Sequence, residues 1–419
     1  MKRLFVVFII LSFLMKQHEC KGQWLTIYQD PNLYNMGVHF LNPDTGFVVG
    51  VTWNPNIIPQ GIILKTTDGG LTWDSTYTNF GNFMIEFPGT TTGYTGGHDG
   101  FVYKTTDMGV TWNQTPASPA TDFGNGHFFS VDTGFVVTWP GSILKTNDGS
   151  NTWFFDTAVV DYSQFPGMGS IQFMNDTFGI IASCYNGVFA RTYDRGQTWT
   201  SGSVDSNMYI NAIYMKDETE GFAIGWFGSV SRTFDGGNTW TTPISLGFYH
   251  LHEMTFFNNS AGYIVGGKEW MTNDGQPNGI IYKTVDGGNT WSVVDSTFPG
   301  YLTSIQAVND SVGYACGGNG LVLKIINGNV VNGLTSSIPE CKFEIHPNPA
   351  SENIRIITSE ENLNCSMRLL SIEGKTLLHQ KFVNSLNLDV SLLSDGIYFI
   401  ELTLPNGFVE SKKLVKTKH

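Results

Sequence analysis

A nine-residue box that recurs along the chain limits what it can fold into more than any other feature. The first copy reads Lys65-Thr66-Thr67-Asp68-Gly69-Gly70-Leu71-Thr72-Trp73. Further copies are centred on Asp107, Asp148, Asp194, Asp235 and Asp286, and a worn seventh at Asn327 has lost its Thr-Trp ending. Successive centres are 39 to 51 residues apart, the length of four short strands with their turns. Upstream of each box lies a Gly-aromatic pair that opens an apolar run, such as Gly46-Phe47 or Gly221-Phe222, with Gly179-Ile180 standing in the fourth unit. One unit therefore reads as strand a, turn, strand b, loop, strand c, box, strand d: a four-stranded antiparallel blade.

The ends of the array are complementary. The seventh box has no strand d after it, while the first unit is preceded by an orphan Gln23-Trp24-Leu25-Thr26-Ile27 that looks like a strand d without a box. If the N-terminal strand completes the last blade, the ring closes and no edge strand is exposed. The expected fold is all-β, a seven-bladed β-propeller over residues 23–330 closed in this way. Composition agrees, with 48 Gly, 30 Phe, 16 Tyr and 11 Trp in 419 residues and only 14% charged side chains. Such a chain buries a large core and favours turns and strands over helices. Its net charge of −13 argues against nucleic acid or an anionic membrane as a partner.

Each box has a physical reading. The Asp carboxylate can accept backbone N–H groups of the turn that it begins, the Gly two positions on supplies positive φ, and the Trp packs inward. One carboxylate per box is too few for calcium, so these residues read as structural. The boxes resemble the Asp-box (BNR) repeats of sialidase, xyloglucan hydrolase and sortilin-type propellers, and most of all those of the photosystem II assembly/stability factor family. The resemblance implies the fold; that fold hosts hydrolases, receptors and assembly factors alike.

Residues 1–22 read as a signal peptide, with Lys2 and Arg3 before the apolar run Leu4 to Met15, too short to span a membrane. Residues 331–340 read as a linker and 341–419 as a small β-sandwich. There the order Pro347-Asn348-Pro349, Gly374, Gly396 with Tyr398, and Lys412-Lys413 is similar to the C-terminal sorting domain of the type IX secretion system, with His346 where that family has Tyr or Phe. This resemblance implies a Bacteroidetes-type bacterium, the type IX machinery as a partner, and passage through the periplasm to secretion or outer-membrane attachment. Whether Cys341 pairs with Cys365, or Cys184 with Cys316, is left open by the sequence.

Function must come from the loops. Boxes and a–b turns should share one face of the disc, and the d–a and b–c loops the other. Beside the six box Trp and Trp24 four remain, and all fall in b–c loops: Trp53, Trp139, Trp226 and Trp270. His98 and Tyr185 hold the same place in two further blades. Rings beside carboxylates suit a neutral glycan or a protein hot spot; the plainer alternative is packing beneath long loops. Seven basic residues precede the boxes and form a ring on the other face, where they either dock an acidic partner or balance the box carboxylates. The propeller's only arginines, Arg191, Arg195 and Arg232, lie at boxes, so a sialidase's clustered carboxylate grip is missing. Loop acids such as Asp30, Asp99, Asp122, Asp161, Asp205, Glu253, Glu269 and Asp274 could supply a glycosidase pair, although no particular pair stands out and the catalytic residues are unknown. His250 and His252 lack a third ligand, so neither a metal nor a cofactor is expected. The expected function is non-enzymatic binding of a glycan or surface protein. A polysaccharide hydrolase and an assembly factor for a surface complex are the alternatives.

Overall fold

A computed structural model describes residues 24–52, 59–115, 122–139, 141–156, 169–268, 278–326, 328, 343–358, 364–371, 376–403 and 409–417. The chain divides near Gly333 into two units. In the first, seven antiparallel four-stranded sheets follow one another along the sequence. The first consists of Leu33–Phe40, Gly46–Thr52, Gly61–Thr66 and Asp74–Thr78, in the a, b, c, d order that the repeat implies. The outermost strand is the weakest, reduced to two residues at Asn113–Gln114, Phe154–Phe155 and Ile244–Ser245. The seventh sheet takes its outer strand from the other end of the chain, Leu25–Tyr28 pairing antiparallel with Leu321–Ile326 through Leu25 to Lys324 and Thr26 to Leu323. Trp24, just before that strand, is buried and meets Tyr263 of the sixth sheet edge to face at 5.6 Å. The propeller with N-terminal closure is the observed architecture.

The box is a closed hydrogen-bond circuit. At Asp68, Oδ1 accepts the Thr66 hydroxyl and the Thr72 amide, both at 2.9 Å, and Oδ2 accepts the Thr72 hydroxyl. The Thr66 hydroxyl oxygen in turn accepts the Gly70 amide at 2.9 Å. The circuit recurs at Asp107, Asp148, Asp194, Asp235 and Asp286; Asn327 lies outside the described residues. The Trp that ends each box is less enclosed than the sequence suggests. Trp199 is buried, whereas Trp73, Trp112, Trp153, Trp240 and Trp291 are half-buried. Three of them meet the Gly-aromatic ring of the preceding sheet edge to face: Trp112 on Phe47 (6.3 Å), Trp199 on Phe135 (6.4 Å) and Trp291 on Phe222 (6.3 Å).

Two further layers join neighbouring sheets. Near the disc centre, strand a of one sheet offers a side chain to the otherwise unpaired backbone of the next. The Phe128 amide donates to Glu86 Oε2 (2.7 Å), Met215 to Gln172 Oε1 (2.6 Å), Phe256 to the Tyr214 hydroxyl (3.4 Å) and Ala307 to Thr255 Oγ1 (3.3 Å). The same link closes the ring, with the Phe40 amide donating to Gln306 Oε1 at 2.6 Å. On the box face, the basic residue before a box lies over its own sheet's aromatic and reaches the next sheet's box. Lys104 sits 5.3 Å from the Tyr94 ring and donates to the Gly149 carbonyl; Lys324 does the same with Tyr314 and Gly69. Arg191 donates to Gly236 O at 2.9 Å. Lys104, Arg191, Arg232 and Lys324 thus clip neighbouring sheets together.

The second unit has a three-stranded sheet (Phe343–His346, Asn353–Thr358, Ser385–Asp389) and a four-stranded one (Thr376–Val383, Asn364–Leu370, Gly396–Thr403, Val409–Lys416) around a shared core that includes Phe343, Ile356, Met367 and Ile400. Asn348 ties the Pro-Asn-Pro motif to the last strand, donating from Nδ2 to Lys413 O (2.7 Å) and accepting the Val415 amide at Oδ1 (2.9 Å). Lys412 reaches the Phe343 carbonyl, and the Tyr398 hydroxyl donates to Ser394 O. Gly374 and Cys341 lie outside the described residues, as do residues 1–22 and 331–340.

Candidate functional site

On the face opposite the boxes, four b–c connections are the same tight turn, with two residues in left-handed backbone. The pairs are Asp99-Gly100, Asn186-Gly187, Phe227-Gly228 and Asn319-Gly320. The glycine is demanded by close approach: a Cβ on Gly187 would lie 2.0 Å from Asp205 O, and one on Gly320 2.3 Å from Asp30 O. Asp and Asn at the first position tolerate positive φ because their short side chains bond locally. Phe227 has no such excuse. It holds φ +56° with its ring 55% exposed, a placement that costs about 1–3 kcal/mol and concentrates at functional sites.

Around Phe227 the d–a loops and b–c turns build an arc of rings. Tyr185 meets Tyr209 edge-on at 5.7 Å, Tyr209 stacks on Trp226 at 4.8 Å and 14°, and Trp226 lies 4.8 Å from His250, whose ring is also 5.6 Å from Phe227. Trp226 Nε1 donates to Asn211 Oδ1 (3.2 Å), and its amide to Tyr209 O (3.0 Å). A second group, Tyr34, Tyr301 and His252, lies along strands a of the first, sixth and seventh sheets, with centroids 5.1 and 5.5 Å apart. Burial, then the neighbouring His250, lowers the His252 pKa to about 4. Phe248, 91% exposed, stands in the loop whose Tyr249 carbonyl accepts the Gly228 amide.

The residues singled out in the sequence meet different fates. Tyr185 and Trp226 join this arc through Tyr209. His98 and Trp139 are brought together by Asp122: its Oδ2 is 3.4 Å from His98 Nδ1, its Oδ1 accepts the Asp99 amide, and its carbonyl accepts the Trp139 amide. Trp139 is 45% exposed. Trp53 and Trp270 lie outside the described residues, as do Asp161, Glu269 and Asp274. Tyr209, Phe227 and Phe248 were missed. Aligning the four turns would have exposed Phe227 as a bulky residue before the glycine where the others have Asp or Asn.

Several of the acids read as hydrolase candidates also hold local structure. Asp30 Oδ1 accepts the Asn32 amide and Asp205 Oδ1 the Asn207 amide, each holding its own turn. Glu253 is a strut between sheets, its Oε2 accepting the Ile305 amide at 2.8 Å, and burial raises its pKa. His250 and His252 have different ring partners, and no group of three metal-binding side chains exists among the described residues. No helix there is long and apolar enough to cross a membrane.

Comparison with known proteins places both units. Residues 344–417 match the family described as secretion system C-terminal sorting domain. Residues 193–322 match the family described as photosynthesis system II assembly factor YCF48. The chloroplastic photosystem II stability/assembly factor HCF136 of Guillardia theta is 25% identical over 200 residues, which are 44% of this chain and 48% of that protein. The chain thus matches about half the length of that curated relative. Among solved structures, YCF48 bound to D1 peptide superposes with a TM-score of 0.58 at 19% identity, covering 74% of this chain and 96% of its own. PorZ, a surface component of the type-IX secretion system of Porphyromonas gingivalis, gives 0.52 at 10%, covering 93% and 60%. The GH74 xyloglucanase of Xanthomonas campestris gives 0.55 at 10%, covering 81% and 60%. These likenesses are of fold, shared by proteins of different activity. The sorting tail marks the chain for type IX export to the cell surface or beyond. In family terms, the chain is a β-propeller similar to YCF48 joined to a secretion system C-terminal sorting domain.

Proposed function

We propose that the exported propeller is a non-enzymatic binding module that holds a segment of another protein across the arc Tyr185–Tyr209–Trp226–His250, with Phe227 as the projecting contact. Phe227 carries the reading. An exposed ring kept in left-handed backbone costs stability and fills no core, so a contact outside the chain is what it can serve. A protein segment suits the arc better than a sugar does. Trp226 already has Tyr209 and His250 against it, which makes it a poorer platform for a pyranose face than an isolated ring. A propeller of the same fold bound to a peptide supports the same choice.

The test is Phe227→Asn, which installs the residue type of the equivalent turns. Thermal stability is expected to hold or rise by about 1 kcal/mol as the strain is relieved. Capture of peptides from an immobilised array is expected to weaken by about tenfold or more. Undiminished capture would defeat the proposal. Depletion by insoluble polysaccharide would favour a glycan, and release of sugar in the same tubes would favour the hydrolase.

A further inference from the structure

The segment held on this face is, we infer, cationic: an extended stretch of polypeptide carrying arginine or lysine side chains that lie on the exposed rings. The inference rests on the binding proposed above and adds the chemistry of what is bound.

Between residues 24 and 330 there are ten Lys and Arg residues, and nine belong to the box face. Each basic residue before a box lies 5–6 Å from an aromatic ring at that face, as Lys65 does over Phe47 and Lys283 over Tyr263. Lys216 and Arg195 are held there by Glu220 and Asp176. The loop face keeps Lys268 alone. Carboxylates, by contrast, are interleaved with its rings. Asp205 lies in the Tyr209 loop, against the turn that carries Tyr185; Asp122 joins the His98 turn to Trp139; Asp30 backs the Asn319-Gly320 turn. Asp99 occupies an exposed left-handed position of its own. Asp30 and Asp205 each use only Oδ1 for the local turn and are partly exposed.

An anionic partner would meet uncompensated like charge here, and a neutral one would leave the carboxylates unused. A guanidinium satisfies both elements. Its plane can lie on an exposed ring of this face, where the ring quadrupole attracts it, while one of these carboxylates accepts its N–H groups. Arginine answers this geometry better than lysine because its planar fork both stacks and donates in pairs. The protein uses the same contact internally, Arg232 lying 4.4 Å from the Phe234 ring.

The experiment measures fluorescence anisotropy of three labelled octapeptides, alternating Arg-Gly, Ser-Gly and Glu-Gly, with the full-length chain. The Arg-Gly peptide is expected to bind about tenfold more tightly than Ser-Gly, and the margin to collapse between about 50 mM and about 500 mM salt. Asp205→Asn is expected to weaken Arg-Gly binding by about threefold or more. Asp310→Asn, an equal change of charge at an exposed a–b turn of the box face, is expected to leave it unchanged. Equal binding of Arg-Gly and Ser-Gly overturns the inference, as does tighter binding of Glu-Gly or equal weakening by the two Asn variants. If all peptides bind alike but Phe227→Asn still weakens them, only the charge inference falls. If no peptide binds, or Phe227→Asn changes nothing, the binding proposal falls with it.

Discussion

At Asp68 both carboxylate oxygens are filled by hydroxyl and amide donors, so a proton can enter only by breaking the circuit. The Thr72 hydroxyl, then the Thr72 amide, hold the Asp68 pKa at about 2, and the equivalent threonines hold Asp107 and Asp194 there too. These are depressed values, below the roughly 3.9 of an unfolded chain. The stability they confer is therefore complete above about pH 4 and is lost as pH falls through about 2. Glu253, raised by burial, works in the opposite sense, but it is one group against six boxes. His39 and His252, both lowered by burial, stay neutral in the fold while the unfolded chain takes up protons from about pH 6.5. Urea midpoints are therefore expected to decline between about pH 7 and about pH 5 and to fall further below about pH 4 as the boxes protonate. A midpoint that stays level below about pH 4 would show that the boxes contribute no acid sensitivity.

Strand a of each sheet has a different problem. Its inner edge faces the disc centre and has no strand partner, and the neighbouring sheet supplies one acceptor at a fixed level. At the fourth sheet, Gln172 accepts the Met215 amide at Oε1 and faces its carbonyl with Nε2. Gln172→Ala should leave both groups unsatisfied and lower stability by about 1–3 kcal/mol. Amide exchange at Met215 should accelerate more than at Met254, the following sheet's strand, and equal acceleration would show that the ladder is not local. Little of this was legible beforehand. The boxes were, since their circuit lies within seven residues, Thr66 to Thr72, and must repeat nearly letter for letter. The ladder joins residues 42 to 52 apart, and 266 apart where it closes the ring, and at its level Glu86, Gln172, Tyr214, Thr255 and Gln306 do one job with different side chains, so no motif marks it. The arc was half legible for the same reason. Trp226 stood out as a loop Trp, whereas Tyr209 and His250 reach it from neighbouring connections. The seven basic residues kept their own regular pattern, and only the distances to carbonyls and box side chains showed Lys104, Arg191, Arg232 and Lys324 to be clips.

Closure is a property of the whole ring, and it is made at every depth of the disc by contacts between the two ends of the propeller. Gln306 holds the Phe40 amide near the centre; Phe40 and Tyr314 stack at 3.5 Å further out; Lys324 and the Tyr314 hydroxyl grip the first box and its a–b turn; Leu25–Tyr28 completes the seventh sheet at the rim. The rim strand is nevertheless the part that removes an edge. Without it, Leu321–Ile326 would present a row of unpaired backbone groups flanked by buried Leu323 and Ile325, the kind of edge that recruits another chain. Deleting residues 24–28 is therefore expected to do two separable things. Loss of Trp24 from against Tyr263 should cost about 3–5 kcal/mol, lowering the urea midpoint at any protein concentration. The bared strand should also make the chain self-associate, which light scattering would register as a mass rising with concentration. Trp24→Ala alone separates the two, since it empties the Trp pocket but keeps the strand: it should lower the midpoint and leave the mass constant. If the deletion stays monodisperse across the same concentrations, the inner contacts close the ring unaided, and the N-terminal strand serves packing alone.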